Sequence, residues 1–411
     1  MDKKIEIKKT IEIIKKSISA QWLFLLALSI YFMGEVLSTT MFPIPEIFRR
    51  FFQFAGIGLA IWKIVQFDCF NLKEIFFITV LFINVLLVKI FSGYSEPIYW
   101  VIFLVGAKNV SFEKILKSYF VVSLSIMLFA FSASLLKIIE NLQYNSDNRG
   151  IRNSFGIIYP TDFAAHVFFL MLVFLYLKKS KVKICDYIIC LIISVFIYCF
   201  CKTRLDCICM GLLIAGHMLI KYGVWGKKHR KKKQKKKSIS MILGMYSMPA
   251  AFFIMWLLTV LYNLGVPIAY DIDYWISNRL RLQSQGMIEY GFRLFGQNVY
   301  MNGNGRSVIL PVNYFFIDCS YFYVILQFGA LFGILIFAIY AMCCRKNRED
   351  SFFHLTIVMI AINCMIAHHL LSLAYNPFSM ALFAKSSYEL YIKDREILNH
   401  KFGISECSFY Y

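Results

Sequence analysis

The chain is short of charge and shorter still of acid. Asp and Glu supply 24 of its 411 residues and Lys and Arg 44, so 17% are charged against 59% hydrophobic. A water-soluble chain of this length divides into two or three domains, with about a quarter of its residues charged. That class is excluded. Short segments alternating polar and apolar residues are missing too, which excludes a transmembrane β-barrel. No small-residue cleavage site follows the first apolar run, so the basic start MDKKIEIKKTIEIIKKSIS reads as a retained lead-in rather than a signal peptide. The 12 Cys are scattered through apolar segments. Close pairs such as Cys199/Cys201, Cys207/Cys209 and Cys343/Cys344 have no second pair at finger-like spacing, so they read as small apolar helix residues. An acidic cluster able to hold a metal is also lacking, and no cofactor is expected.

What is present is a recurring apolar run of about 20 residues, long enough to cross about 30 Å of hydrocarbon as a helix. The expected fold is all-α, a polytopic membrane protein with about 11–12 transmembrane helices and one large extracytoplasmic loop. The runs lie near 20–38, 51–67, 75–92, 96–107, 115–137, 161–177, 184–201, 205–222, 239–264, 314–343 and 352–372, with a weaker one near 377–391. They divide the chain into an N-terminal segment 1–19, a first bundle 20–222 of about eight helices, and a polybasic loop 223–238. A helix 239–264, a large outer loop 265–313, C-terminal helices 314–392 and a tail 393–411 follow.

Lysine and arginine set the orientation. The lead-in carries Lys3, Lys4, Lys8, Lys9, Lys15 and Lys16. Lys178, Lys179, Lys181 and Lys183 follow the sixth run, and Arg345, Lys346 and Arg348 the tenth. KYGVWGKKHRKKKQKKK, 221–237, holds ten basic residues, half of the formal +20. With the N-terminus cytoplasmic, every cluster falls on the cytoplasmic side of a multi-pass cell-membrane protein. The polybasic loop is bracketed by spans and has no interleaved aromatics, so anionic membrane lipids are its expected partner and nucleic acid is not.

Three connections then fall outside: 138–160, the tight turn 202–206 and the loop 265–313. Their basic residues are Arg149, Arg152, Arg204, Arg279, Arg281, Arg293 and Arg306, against Lys202 alone, whereas the inner loops are mostly lysine. Guanidinium forks hold phosphate bidentately and keep their charge when partly desolvated. Arginines gathered where positive charge disfavours translocation point to an anionic ligand, with snorkelling to lipid phosphates as the plainer reading. Tyr and Trp in these segments suit a membrane interface and are compatible with a saccharide.

Other residues have two readings each. His368 and His369 are a second base or a helix-packing pair, and His166 faces the same cavity or the core. Glu35 pairs with an outer arginine or reaches the interface. Asp206 orients a guanidinium or caps the eighth helix. Asp271, Asp273 and Glu289 read as solvated loop charge.

Four stretches carry a resemblance: RGIRNSFGIIYPTDFAAHVF (149–168), KTRLD (202–206), NRLRLQSQGMIEYGFRLFG (278–296) and FFIDCSYFYVILQFGALFGILIF (315–337). In order and predicted side, they resemble the Wzy-type polysaccharide polymerases of O-antigen and capsule pathways and the related O-antigen ligases, GT-C-type integral membrane glycosyltransferases. The resemblance spans about residues 20–390. It implies that a polyprenyl-diphosphate-linked oligosaccharide gives up its lipid diphosphate as the sugar chain moves to another lipid-linked repeat, by an inverting, metal-independent displacement. Arg204 and Arg279 match the family's two diphosphate-binding arginines, with Arg281 as a close substitute for Arg279. Asp318 stands where the ligases place histidine and is the implied base. Arg152, Arg293, Lys202 and His369 are the further substrate-binding candidates. A ligase of the same fold and a flippase for lipid-linked repeats are the alternatives, and a flippase and a chain-length regulator of the same pathway are the implied protein partners.

Overall fold

A computed structural model describes residues 2–146, 150–223, 239–309 and 311–386. Arg149, nearly all of the polybasic loop and the tail lie outside the described residues. The described chain is helical apart from one hairpin and its connections. In order it forms α1 (Asp2–Ser38), α2 (Glu46–Phe67), α3 (Leu72–Ser92), α4 (Glu96–Gly106) and α5 (Phe112–Leu135). The hairpin β1 (Gln143–Ser146) and β2 (Gly150–Asn153) precedes α6 (Pro160–Lys178), α7 (Ile184–Phe200), α8 (Arg204–Tyr222) and α9 (Ile239–Asn263). Then come α10 (Pro267–Trp275), α11 (Arg279–Tyr290), α12 (Ser320–Phe328), α13 (Ala330–Lys346) and α14 (Ser351–Asn363).

Among the described residues six helices are long and apolar enough to cross a membrane: Ile18–Ser38 within α1, α3, α5, α6 with the turn after it, α8 and α9. Their outer faces expose large apolar side chains such as Trp22, Phe76, Phe129, Ile208 and Phe253. Apolar surface on this scale is costly in water and suits hydrocarbon. The helix boundaries follow local chemistry. Asn71 and Glu74 form a capping box that starts α3, and Gly93 ends it in the left-handed region. Pro160 opens α6, where a missing N–H costs nothing. α6 is buried nearly all round and forms the axis of the bundle.

Successive long helices reverse direction, so their connections gather at two ends. At one end Thr40 bridges Ile157, Arg306 donates to the Phe42 carbonyl, and the hairpin meets the α7–α8 turn. At the other, Lys179 pairs with Asp350 at 2.8 Å, Lys108 pairs with Glu74, and Lys63 is fully buried against Asp68 and the carbonyls of Gly106 and Lys108.

Two of the longer predicted runs are broken. The run 314–343 appears as α12 and α13, separated at Gly329 (φ 96°). The cause is a strap, Arg293–Gln297, docked on the break. Ala330 and Leu331, at the start of α13, donate to the Arg293 and Leu294 carbonyls, and Gln297 donates to that of Gln327. A Cβ on Gly329 would lie 2.4 Å from the Gly296 nitrogen, so backbone touches backbone there. The run 352–372 yields only α14, 13 residues or about 20 Å of helix. Beyond Asn363 the chain turns back without a helix. Residues 378–382 make one 3-10 turn, and Lys385 pairs with Val110 and Phe112 at the lysine-rich end.

Candidate functional site

The hairpin end collects the chemistry. Tyr144 pairs with Arg152 across the hairpin, which lies against the α7–α8 turn. Arg152 is buried, its Nε donating to the Cys201 carbonyl at 3.2 Å and its guanidinium 6.0 Å from the Tyr159 ring centroid. Burial pushes its pKa below the ordinary arginine value, and nearby Tyr159, Cys201 and Asp206 oppose that shift. Arginine stays charged under such shifts.

Arg279 opens α11. Ser277 and Asn278 before it both hold positive φ, 64° and 60°, a costly pair for residues with side chains. Asp273 stabilises that turn: it is buried and accepts from the Leu280 and Arg281 amides at 2.7 and 3.2 Å. Reading Asp273 as solvated loop charge is therefore corrected; it satisfies the orphan amides of a helix N-terminus. Asp271 and Glu289 are exposed. The Arg279 Nε stands 3.3 Å from Asp318 Oδ2, placed for an ion pair but not aligned for a hydrogen bond, and its Nη1 donates to Ile276.

Around this pair stand Asp206 from α8, within electrostatic reach of Arg279 and Arg152, and Asp162 from α6, within reach of Asp318 and Asp206. His368 is within electrostatic reach of both Asp318 and Arg279. His369 Nε2 lies 3.9 Å from Asp162 Oδ1. Its ring stacks on Tyr375 at 3.7 Å, and His166 stacks on the same tyrosine at 4.0 Å, completing a three-ring pile. His166 also shares a 2.9 Å hydrogen bond with Thr39. Tyr314 lies beside Asp318, and burial, then that carboxylate, raises its pKa above the usual tyrosine value. Several buried atoms have no hydrogen-bond partner among the described residues: Arg152 Nη2 and the Nδ1 atoms of His166 and His369. Leaving such atoms unpaired is expensive, and it is characteristic of sites that bind a ligand or ordered water. Among the described residues no three His, Cys, Asp or Glu side chains are grouped as metal ligands.

Compared with known protein families, curated proteins and solved structures, the chain matches none.

Of the sequence candidates, the structure therefore brings together Arg152, Arg279, Asp318 and His369. It does not bring Arg204 to Arg279. Arg204 is exposed and makes no ion pair or hydrogen bond among the described side chains. Its neighbour Asp206 faces the cluster instead, and two residues along a helix turn the direction by about 200°. The same geometry separates buried Arg279 from exposed Arg281. Arg293 is exposed, and its carbonyl serves the α12–α13 break. Lys202, with φ 51°, lays its ammonium beside Gly150 in the hairpin. Asp162, Asn363 and Tyr375 escaped sequence reasoning. Asp162 had a usable signal, a lone carboxylate in the first turn of an apolar helix.

Proposed function

We propose that the protein is a polymerase of lipid-diphosphate-linked oligosaccharides, working at the hairpin end of the bundle, with that end on the outer face of the cytoplasmic membrane. One observation carries the reading. Two buried guanidiniums from distant parts of the chain lie within reach of each other and of Asp206, and one of them, Arg279, stands against Asp318 beside a histidine pair at one end of an apolar bundle.

In this reading Arg152 and Arg279 hold the diphosphate. Two carboxylates, Asp206 and Asp318, already face them, so the ligand must displace carboxylate from guanidinium rather than add to bare positive charge. A diphosphate carries the greater charge density and competes well for the Arg279 fork. Once that fork turns to phosphate, Asp318 is released from its ion pair with Arg279 and its oxygens are open to the acceptor hydroxyl. The acceptor hydroxyl then attacks the anomeric carbon. The bond from that carbon to the diphosphate oxygen breaks, its electron pair leaves with the polyprenyl diphosphate, and the hydroxyl proton passes to Asp318. Charge growing on the leaving oxygens meets fixed guanidiniums in a water-poor site. Arg204, Lys202, Arg281 and Arg293 lie outside the cluster and steer the anion at longer range.

A ligase of the same fold is the second reading, favoured by His368 beside Asp318, an imidazole next to the position where the ligases carry histidine. Deleting the gene and analysing the surface glycan is the test. Polymerisation predicts that long chains disappear while single repeats still reach the surface or build up on lipid. Complete loss of surface repeats assigns the chain to flipping instead.

A further inference from the structure

Beside the cluster, at the same end, lies a cavity of about 280 Å³ between α1, α2, α4 and the returning segment Leu371–Leu373. Glu35 and Glu96 stand in its wall with Tyr31, Tyr99, Trp100, Arg49 and Gln53. Gln53 donates to Glu35 and the Tyr323 hydroxyl to Glu96 at 3.4 Å, so each carboxylate keeps most of its acceptor capacity. Trp100 is 1% exposed, and its indole N–H has no partner among the described residues. Arg49 is already held by Glu46, and it also acts on Glu35, which argues against a bare cation site.

We infer that this cavity seats the terminal sugar of the acceptor glycan, an inference that rests on the polymerase reading. Free carboxylate oxygens and an unpaired indole N–H suit a ligand rich in hydroxyls, and the aromatic rings suit the C–H faces of a pyranose. The volume lies just under the ~300–1,000 Å³ of drug-sized sites, room for one sugar residue rather than a whole repeat. One side chain links the cavity wall to the cluster. Tyr323 reaches Glu96 with its hydroxyl while its ring lies 6.1 Å from that of His368, and the cavity wall at Leu371 follows His368 and His369 in the chain. A sugar seated there has its hydroxyl on the Asp318–His368 side.

The test uses the purified full chain in vesicles, lipid-diphosphate-linked repeat as donor, and the free repeat saccharide, fluorescently tagged at its reducing end, as acceptor. Glu35→Gln combined with Glu96→Gln, and separately Trp100→Phe, should raise the acceptor KM at least about tenfold. The donor KM should stay within about twofold, and Arg279→Lys should show the opposite split. An unchanged acceptor KM in both variants, or a donor KM that rises with it, overturns the inference. Failure of the polymerase reading is visible separately, as long surface chains that persist in the deletion strain.

Discussion

Arg279 and Arg281 are two residues apart, as are Arg204 and Asp206, and on a helix that spacing sends one member of each pair inward and the other out. Which one turns inward depends on where the helix begins. For α11 the start is fixed by the left-handed Ser277–Asn278 turn and the Asp273 carboxylate beneath it. For α8 it is fixed by the turn whose Cys201 carbonyl receives Arg152. Lysine offers a point charge where the buried arginines offer a planar fork, so the exchange is not conservative at these positions. Arg152→Lys and Arg279→Lys should each lower polymer formation by about 100-fold, and Asp318→Asn similarly, since a lost base costs about that much. Arg204→Lys and Arg281→Lys should stay within about twofold, as expected for exposed groups acting at long range. Polymer made from lipid-linked repeats in membrane vesicles, normalised to inserted protein, measures all five. Full activity of Arg279→Lys would remove that residue from the site.

At the scale of elements, the breaks matter more than the helices. Non-helical backbone at membrane depth persists only where protein buries it or it lines a polar cavity. The return after α14 meets that condition, since residues 373–381 are buried throughout and Asn376 bonds Tyr340 and the Leu370 carbonyl. It is also what carries His368, His369 and Tyr375 into the cluster. A straight span would have placed the two histidines side by side on a helix with no reason to face Asp318. The Gly296–Gly329 contact does the corresponding job for Asp318 by setting the angle at which α12 leaves α13. Gly329→Ala adds a Cβ against the Gly296 nitrogen at a positive φ, and should destabilise the protein by about 1–3 kcal/mol. A lower midpoint in thermal melting of the detergent-purified protein, with loss of polymer formation, is the expected result; an unshifted melt argues that the break is not under strain.

At the scale of the molecule, the proposed orientation rests on lysine at one end and buried arginine at the other. It makes a prediction about access. With exposed Cys69, Cys185 and Cys199 changed to Ser, a cysteine at Ser307 should react with an impermeant maleimide in intact cells. One at Lys181 should react only after permeabilisation, and so should one at Lys385, because α14 and the return after it enter and leave at one end. Labelling at Lys181 in intact cells would reverse the orientation and put the cluster on the cytoplasmic side.

The amino-acid sequence by itself determined that the chain is helical and apolar, where most helices lie, and which segments carry arginine rather than lysine. Those properties are local: run length, capping residues and charge sorting are written in consecutive residues. Only the tertiary structure decided that Arg152 stands with Arg279 while Arg204 faces away, that Asp162 and Asp206 join them, and that two long apolar runs break. Each of those outcomes depends on contacts between segments far apart in the chain. The strap 293–297 meets Gly329, Cys201 meets the hairpin, and Tyr375 lies between two histidines. An apolar run looks the same in sequence whether it continues as a helix or is interrupted by a distant backbone docking on it.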